Sequence, residues 1–78
     1  MTEPIKYRAL YSSSEQEALN AARNAISKML DKKAEKPAAV SAGRWAAWGV
    51  LYTQYEEDQY MDDFCDRIAE VAFGMECS

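Results

Sequence analysis

From Met61 to Met75 the apolar residues Met61, Phe64, Cys65, Ile68, Val71, Ala72 and Met75 recur in steps of three and four. Turning at roughly 100° per residue, a helix brings all seven within about 60° of Ile68. A strand, with its period of two, would scatter them over both faces. The spacing therefore predicts a helix over 58–73, closed by Gly74 as a stop signal. Its apolar stripe has to be covered by something else in the chain.

Two other stretches have the pattern to cover it. Ser12, Ser13 and Ser14 offer N-cap hydroxyls, with Glu15 and Gln16 placed as capping-box partners. Leu19, Ala22, Ile26, Met29 and Leu30 then follow as an apolar stripe, and Lys28, Lys32 and Lys33 gather where a helix C-terminus favours cations. This predicts a helix over 13–31. Pro37 disfavours a helical Lys36, so DKKAEKP reads as a turn, and the same proline opens a second helix over 38–55. There Trp45, Trp48, Tyr52 and Tyr55 line one face, and Val40, Ala47, Val50 and Leu51 widen it. Apolar residues most of the way round predict a central helix, with the aromatic stripe in the core. Ala42, Gly43, Ala46 and Gly49 keep part of it small enough for close approach. No Gly or Pro separates Val50 from Phe73, so the second and third helices read equally as two rods or one bent rod.

Ile5, Tyr7, Ala9 and Tyr11 alternate with Lys6 and Arg8, as in a short strand, while Pro4 before them is equally suited to opening a helix. The expected fold is all-α: a small three-helix bundle in one domain, with residues 5–11 either helical or a short extended lead. Seventy-eight residues allow no more, since a chain of this size buries only about 60% of its unfolded surface. Two cysteines, Cys65 on the core stripe and Cys77 near the end, read as a buried hydrophobe and a solvent thiol rather than a disulfide framework. MTEPIKYRAL holds no apolar run fit for a signal peptide, and no stretch approaches the ~20 apolar residues of a membrane span. The expectation is a cytoplasmic protein that meets no membrane.

Charge is divided along the chain. Through Arg44 the balance is +3; from Trp45 onward it is −7, with Arg67 the single base among eight acids. Enzymatic chemistry finds little to work with. There is no histidine, no nucleophile with a base spaced to serve it, and no glycine-rich phosphate loop. The acidic stretch EEDQYMDDFCD lacks the glycine and closing glutamate of a calcium loop. The expectation is a protein without catalysis, cofactor or metal. A basic cluster of Arg23, Lys28, Lys32, Lys33 and Lys36 is suited to phosphates, but the acidic half would repel a polyanion. Direct nucleic-acid binding is therefore disfavoured.

What remains is a surface for another protein. Asp58, Asp62, Asp66 and Glu70 repeat every four residues, about 6 Å apart on a helix, on the side opposite the apolar seam, with Glu57 and Asp63 beside them. Only Arg67 is near in sequence to relieve their repulsion. Such a row can meet a basic, nucleic-acid-binding surface by mimicking phosphates. Together with whatever part of Trp45, Trp48, Tyr52 and Tyr55 the bundle leaves uncovered, it forms the candidate partner site. In size, acidity and lack of catalytic apparatus the chain resembles phage-encoded inhibitors of host or defence proteins, anti-CRISPR proteins among them, although no motif carries that resemblance. Trp45, Trp48, Gly49 and Tyr52 are also similar to the first helix of a tetratricopeptide unit. Met61 and Ile68 stand where that pattern has alanines, and a lone unit implies no such family. The functional expectation is a stoichiometric protein-binding regulator or inhibitor. A homodimeric assembly subunit and a basic-patch nucleic-acid binder are the alternatives.

Overall fold

The computed structural model describes the backbone of residues 5–77, and side chains from Ser13 onward. It is an all-α three-helix bundle: α1 (Ile5–Asp31), α2 (Lys36–Tyr52) and α3 (Gln59–Cys77). Each helix packs on both others, α1 and α2 most extensively, so α2 is one of three walls rather than the filling between two. Residues 5–11 are helical, not extended. Pro4, the expected helix opener, lies outside the described residues.

α1 runs through the three serines that read as its cap. The reason is tertiary. Ser14 is fully buried and donates to Gln54 Oε1, Ser13 Oγ meets Tyr55 Oη at 3.0 Å, and Gln54 Nε2 donates to Glu17 Oε1 at 3.1 Å. With partners on the segment between α2 and α3, the hydroxyls need not compete for backbone groups as such residues otherwise do. At the other end, Lys33 takes the left-handed conformation, φ 62°. The Lys33 N–H then reaches the Leu30 carbonyl at 2.9 Å and the Ala34 N–H that of Met29 at 3.0 Å. This is a Schellman closure carried by a lysine instead of a glycine.

Pro37 stands in the first turn of α2, after Glu35 in extended conformation. The helix ends three residues earlier than the apolar pattern, at Tyr52, and Thr53 Oγ1 bonds the Val50 carbonyl at 2.7 Å. α2 and α3 are thus separate rods. Asp58 caps α3, its Oδ1 accepting the Met61 N–H at 2.8 Å, a typical N-cap contact to the third helical residue. α3 passes through Gly74 and ends at Cys77, its last turn tied to α1 by Arg23 Nε–Glu76 Oε2 at 2.7 Å.

The core reverses the expectation for α2. Its buried residues are Ala39, Gly43, Ala47 and Leu51, one per turn, facing Ala18, Ala22 and Ile26 of α1. Small side chains at every fourth position let the two backbones approach. An ideal Cβ on Gly43 would lie 2.6 Å from Ile26 Cδ1. α3 adds volume through Met61, Phe64, Cys65 and Ile68, beside Ile26 of α1 and Leu51 of α2. Val71 and Met75, expected in the seam, are exposed, and Ala69 is buried in their place. The stripe on α3 is wider than the groove between two helices as closely packed as α1 and α2.

Candidate functional site

Because the small face of α2 turns inward, its aromatic face turns out. Trp45 is 58% exposed and Tyr52 54%; Trp48 and Tyr55 are half-buried. The stripe is therefore a surface feature and not the core. It is also ordered by its own contacts. Trp48 and Tyr52 stack with centroids 4.5 Å apart and planes 13° from parallel, and Trp45 meets Trp48 edge-on at 5.7 Å and 75°. Tyr55 departs from the group. Its hydroxyl is engaged by Ser13, and that bond, then Ser14, holds the phenol below its ordinary value, opposed by burial.

The acidic row does not stand alone opposite the core. It runs along the α2 side of α3, and the two helices, being antiparallel, set α2's bases against it. Arg44 Nε lies 2.6 Å from Asp66 Oδ1, and Lys36 Nζ 3.8 Å from Glu70 Oε1. Lys36 also lies over the Phe73 ring, 5.3 Å from its centroid. Asp58 is engaged as the α3 cap, and Asp63 is half-buried with contacts of its own. That leaves Glu57, exposed, and Asp62, half-buried; among the described residues neither has an ion-pair partner.

These two acids and the aromatics meet. Arg44, Trp45, Trp48, Glu57 and Asp62 line a cleft of about 310 Å³, open to solvent, where α2 passes the start of α3. Arg44 lies over the Trp45 ring, 5.4 Å from its centroid, while its guanidinium pairs with Asp66. The chain's partner-site candidates thus divide. Trp45, Trp48, Glu57 and Asp62 come together, with Tyr52 next to them. Asp58, Asp66, Glu70 and Tyr55 are engaged within the fold. Reading the sequence missed Arg44 as a member. Its position four residues before Trp48 was the available signal, but only the register of α2 on α3 brings it to Asp66.

Of the expected basic cluster, Arg23 is paired with Glu76 and Lys36 with Glu70, leaving Lys28, Lys32 and Lys33 exposed at the end of α1. Among the described residues no three Cys, Asp or Glu side chains converge as metal ligands, and no helix is long and apolar enough to cross a membrane. Cys65 is buried and Cys77 exposed, both as free thiols. Burial pushes the Cys65 thiol up to about 12, against the pull of nearby Arg44 and with the help of Asp62 and Asp66. No protein-family model, curated protein or solved structure matches the chain.

Proposed function

We propose that this protein is a small, non-enzymatic regulator or inhibitor that binds another protein stoichiometrically and covers a basic surface on it. One observation carries the reading: two of the three aromatic side chains of α2, Trp45 and Tyr52, are more than half exposed beside two carboxylates that have no ion-pair partner among the described residues. A thin bundle needs its aromatics inside. Leaving Trp and Tyr in water, on a rigid helix, gives up burial that folding alone would favour and supplies the residue types that dominate interface energetics. The surrounding acids would speed encounter with a basic partner and select against acidic ones.

The docking surface is then the α2 face and the turn before α3, not the evenly spaced acidic row. Phosphate mimicry by Asp58, Asp62, Asp66 and Glu70 would require a regular array, and three of the four already serve the fold. The test is capture from the lysate of the native host by the wild-type chain, followed by measurement of complex mass. A one-to-one complex lost both in Trp45→Ala/Tyr52→Ala and in Glu57→Lys/Asp62→Lys supports the proposal. The aromatic pair should cost about thirtyfold or more in affinity, as central aromatic anchors do. Capture indifferent to both variants would overturn it. A dimer of the isolated chain that dissociates in Trp45→Ala/Tyr52→Ala would assign the face to self-assembly instead.

A further inference from the structure

We infer that the cleft between Trp45, Trp48, Glu57 and Asp62 is a receptor for one basic side chain, Lys or Arg, in an exposed segment of the partner protein. This deepens the docking reading and rests on it. The cleft has two kinds of wall. Trp45 and Trp48 both line it with their rings 75° apart; Trp48 is stacked on Tyr52, so an alkyl stem or a flat guanidinium would lie against the indole surface that this stacking leaves. Glu57 and Asp62 stand across from them on the turn and first helical residues of α3. An apolar occupant would cover both carboxylates without compensating them, and an anion would be repelled by them. A cation on a flexible apolar stem satisfies both walls at once: carboxylates for the head group, indole faces for the stem and for cation–π attraction.

Arg44, the remaining lining residue, bears on the choice in two ways. Its charge is compensated by Asp66 at 2.6 Å, so the charge the cleft offers a newcomer is that of Glu57 and Asp62. It also lies over Trp45, 5.4 Å from the ring centroid, so this indole already accepts a guanidinium in the free protein. A partner protein fits better than a free amine. The exposed surfaces of Trp45 and Tyr52 continue beyond the cleft, and a small amine would leave them in water.

Trp45 and Trp48 are the chain's two tryptophans, so intrinsic fluorescence reports on this cleft directly. The experiment titrates the protein with capped tetra-arginine and tetralysine peptides, with capped tetraglutamate as control. The basic peptides should shift the emission saturably, and tetraglutamate should leave it unchanged. In Glu57→Gln/Asp62→Asn the affinity should fall about tenfold, the combined effect of two partly exposed ion pairs. Asp31→Asn/Glu35→Gln makes the same change in net charge at the exposed end of α1 and the residue before α2 and should bind as wild type does. Circular dichroism confirms that both variants keep their helices. No saturable shift with either basic peptide, or equal weakening in the two variants, overturns the cationic occupant. If capture of the natural partner then still depends on Trp45 and Tyr52, the docking reading stands without this inference; if that dependence is also absent, both fall.

Discussion

An ideal Cβ on Gly43 would lie 2.6 and 2.8 Å from Cδ1 and Cγ1 of buried Ile26, whereas one on Gly49 meets nothing within 4 Å. Both glycines are interior to α2, so alanine improves helix propensity by up to about 1 kcal/mol at either site. At Gly43 that gain is set against overpacking, typically about 1–3 kcal/mol. Gly49→Ala should therefore raise stability by about 0.5–1 kcal/mol and Gly43→Ala lower it by about 1 kcal/mol, read from urea denaturation midpoints. The clash also predicts coupling: Ile26→Val removes Cδ1, so the double variant should lose less than the two single losses together. Cys65 gives a second prediction at this scale. Its thiol ionises at 9.0 in the ordinary state and is pushed up to about 12 in the fold. The contribution of the neutral buried thiol is complete below pH 9. It is lost as pH climbs toward 12, at up to about 1.4 kcal/mol per pH unit. Cys65→Ala should lack that part of the alkaline slope. In the folded protein a thiol reagent should modify Cys77 promptly and Cys65 only on unfolding.

At the scale of elements, the termini are where sequence and structure part. The hydrogen-bond pattern at the end of α1 asks for a left-handed residue at position 33, and the chain places lysine there. That conformation costs an L-residue roughly 1–2 kcal/mol that glycine does not incur. Lys33→Gly should accordingly stabilise the protein by about 0.5–1 kcal/mol, glycine's greater unfolded-state entropy offsetting the rest, and thermal denaturation would show it. The Met61–Ile68 stripe, the Pro37 start and the helical type of all three elements were legible because each is a local pattern. The α1 start was not. Ser12 to Ser14 followed by Glu15 and Gln16 is a sound capping signature, overridden because Ser14 has its partner in Gln54, forty positions away. Gly74 likewise reads as a stop, yet the last turn continues past it to the Arg23–Glu76 pair. Which face of α2 turns inward was equally hidden. Its small face and its aromatic face both repeat at helical spacing, and Ala18 and Ala22 on α1 favour the small one. The site inherits that ambiguity: its aromatics and acids were visible one by one, but their meeting depends on α2's rotation and on its register against α3.

For the whole molecule, the consequence of an inward small face is that stability and recognition use different residues. At roughly 0.05–0.15 kcal/mol per residue, a chain this size has on the order of 4–12 kcal/mol of stability. Phe64 is 2% exposed at the centre of the core, while Trp45, a larger side chain, is 58% exposed. Truncating a buried Phe to Ala costs about 3–5 kcal/mol, which consumes much of that margin. Truncating Trp45 forfeits an edge contact with Trp48 and the Arg44 cation–π contact, together about 1–2 kcal/mol. Phe64→Ala should thus unfold most of the way at moderate temperature, and any loss of partner binding in it would only reflect loss of the fold. Trp45→Ala should keep its helical circular dichroism, with a melting temperature lower by a few degrees, and still fail to capture the partner. A Trp45→Ala variant as unstable as Phe64→Ala would mean that the indole holds the bundle together. The exposed aromatics would then belong to the fold's own cohesion, and the case for a docking face would go with them.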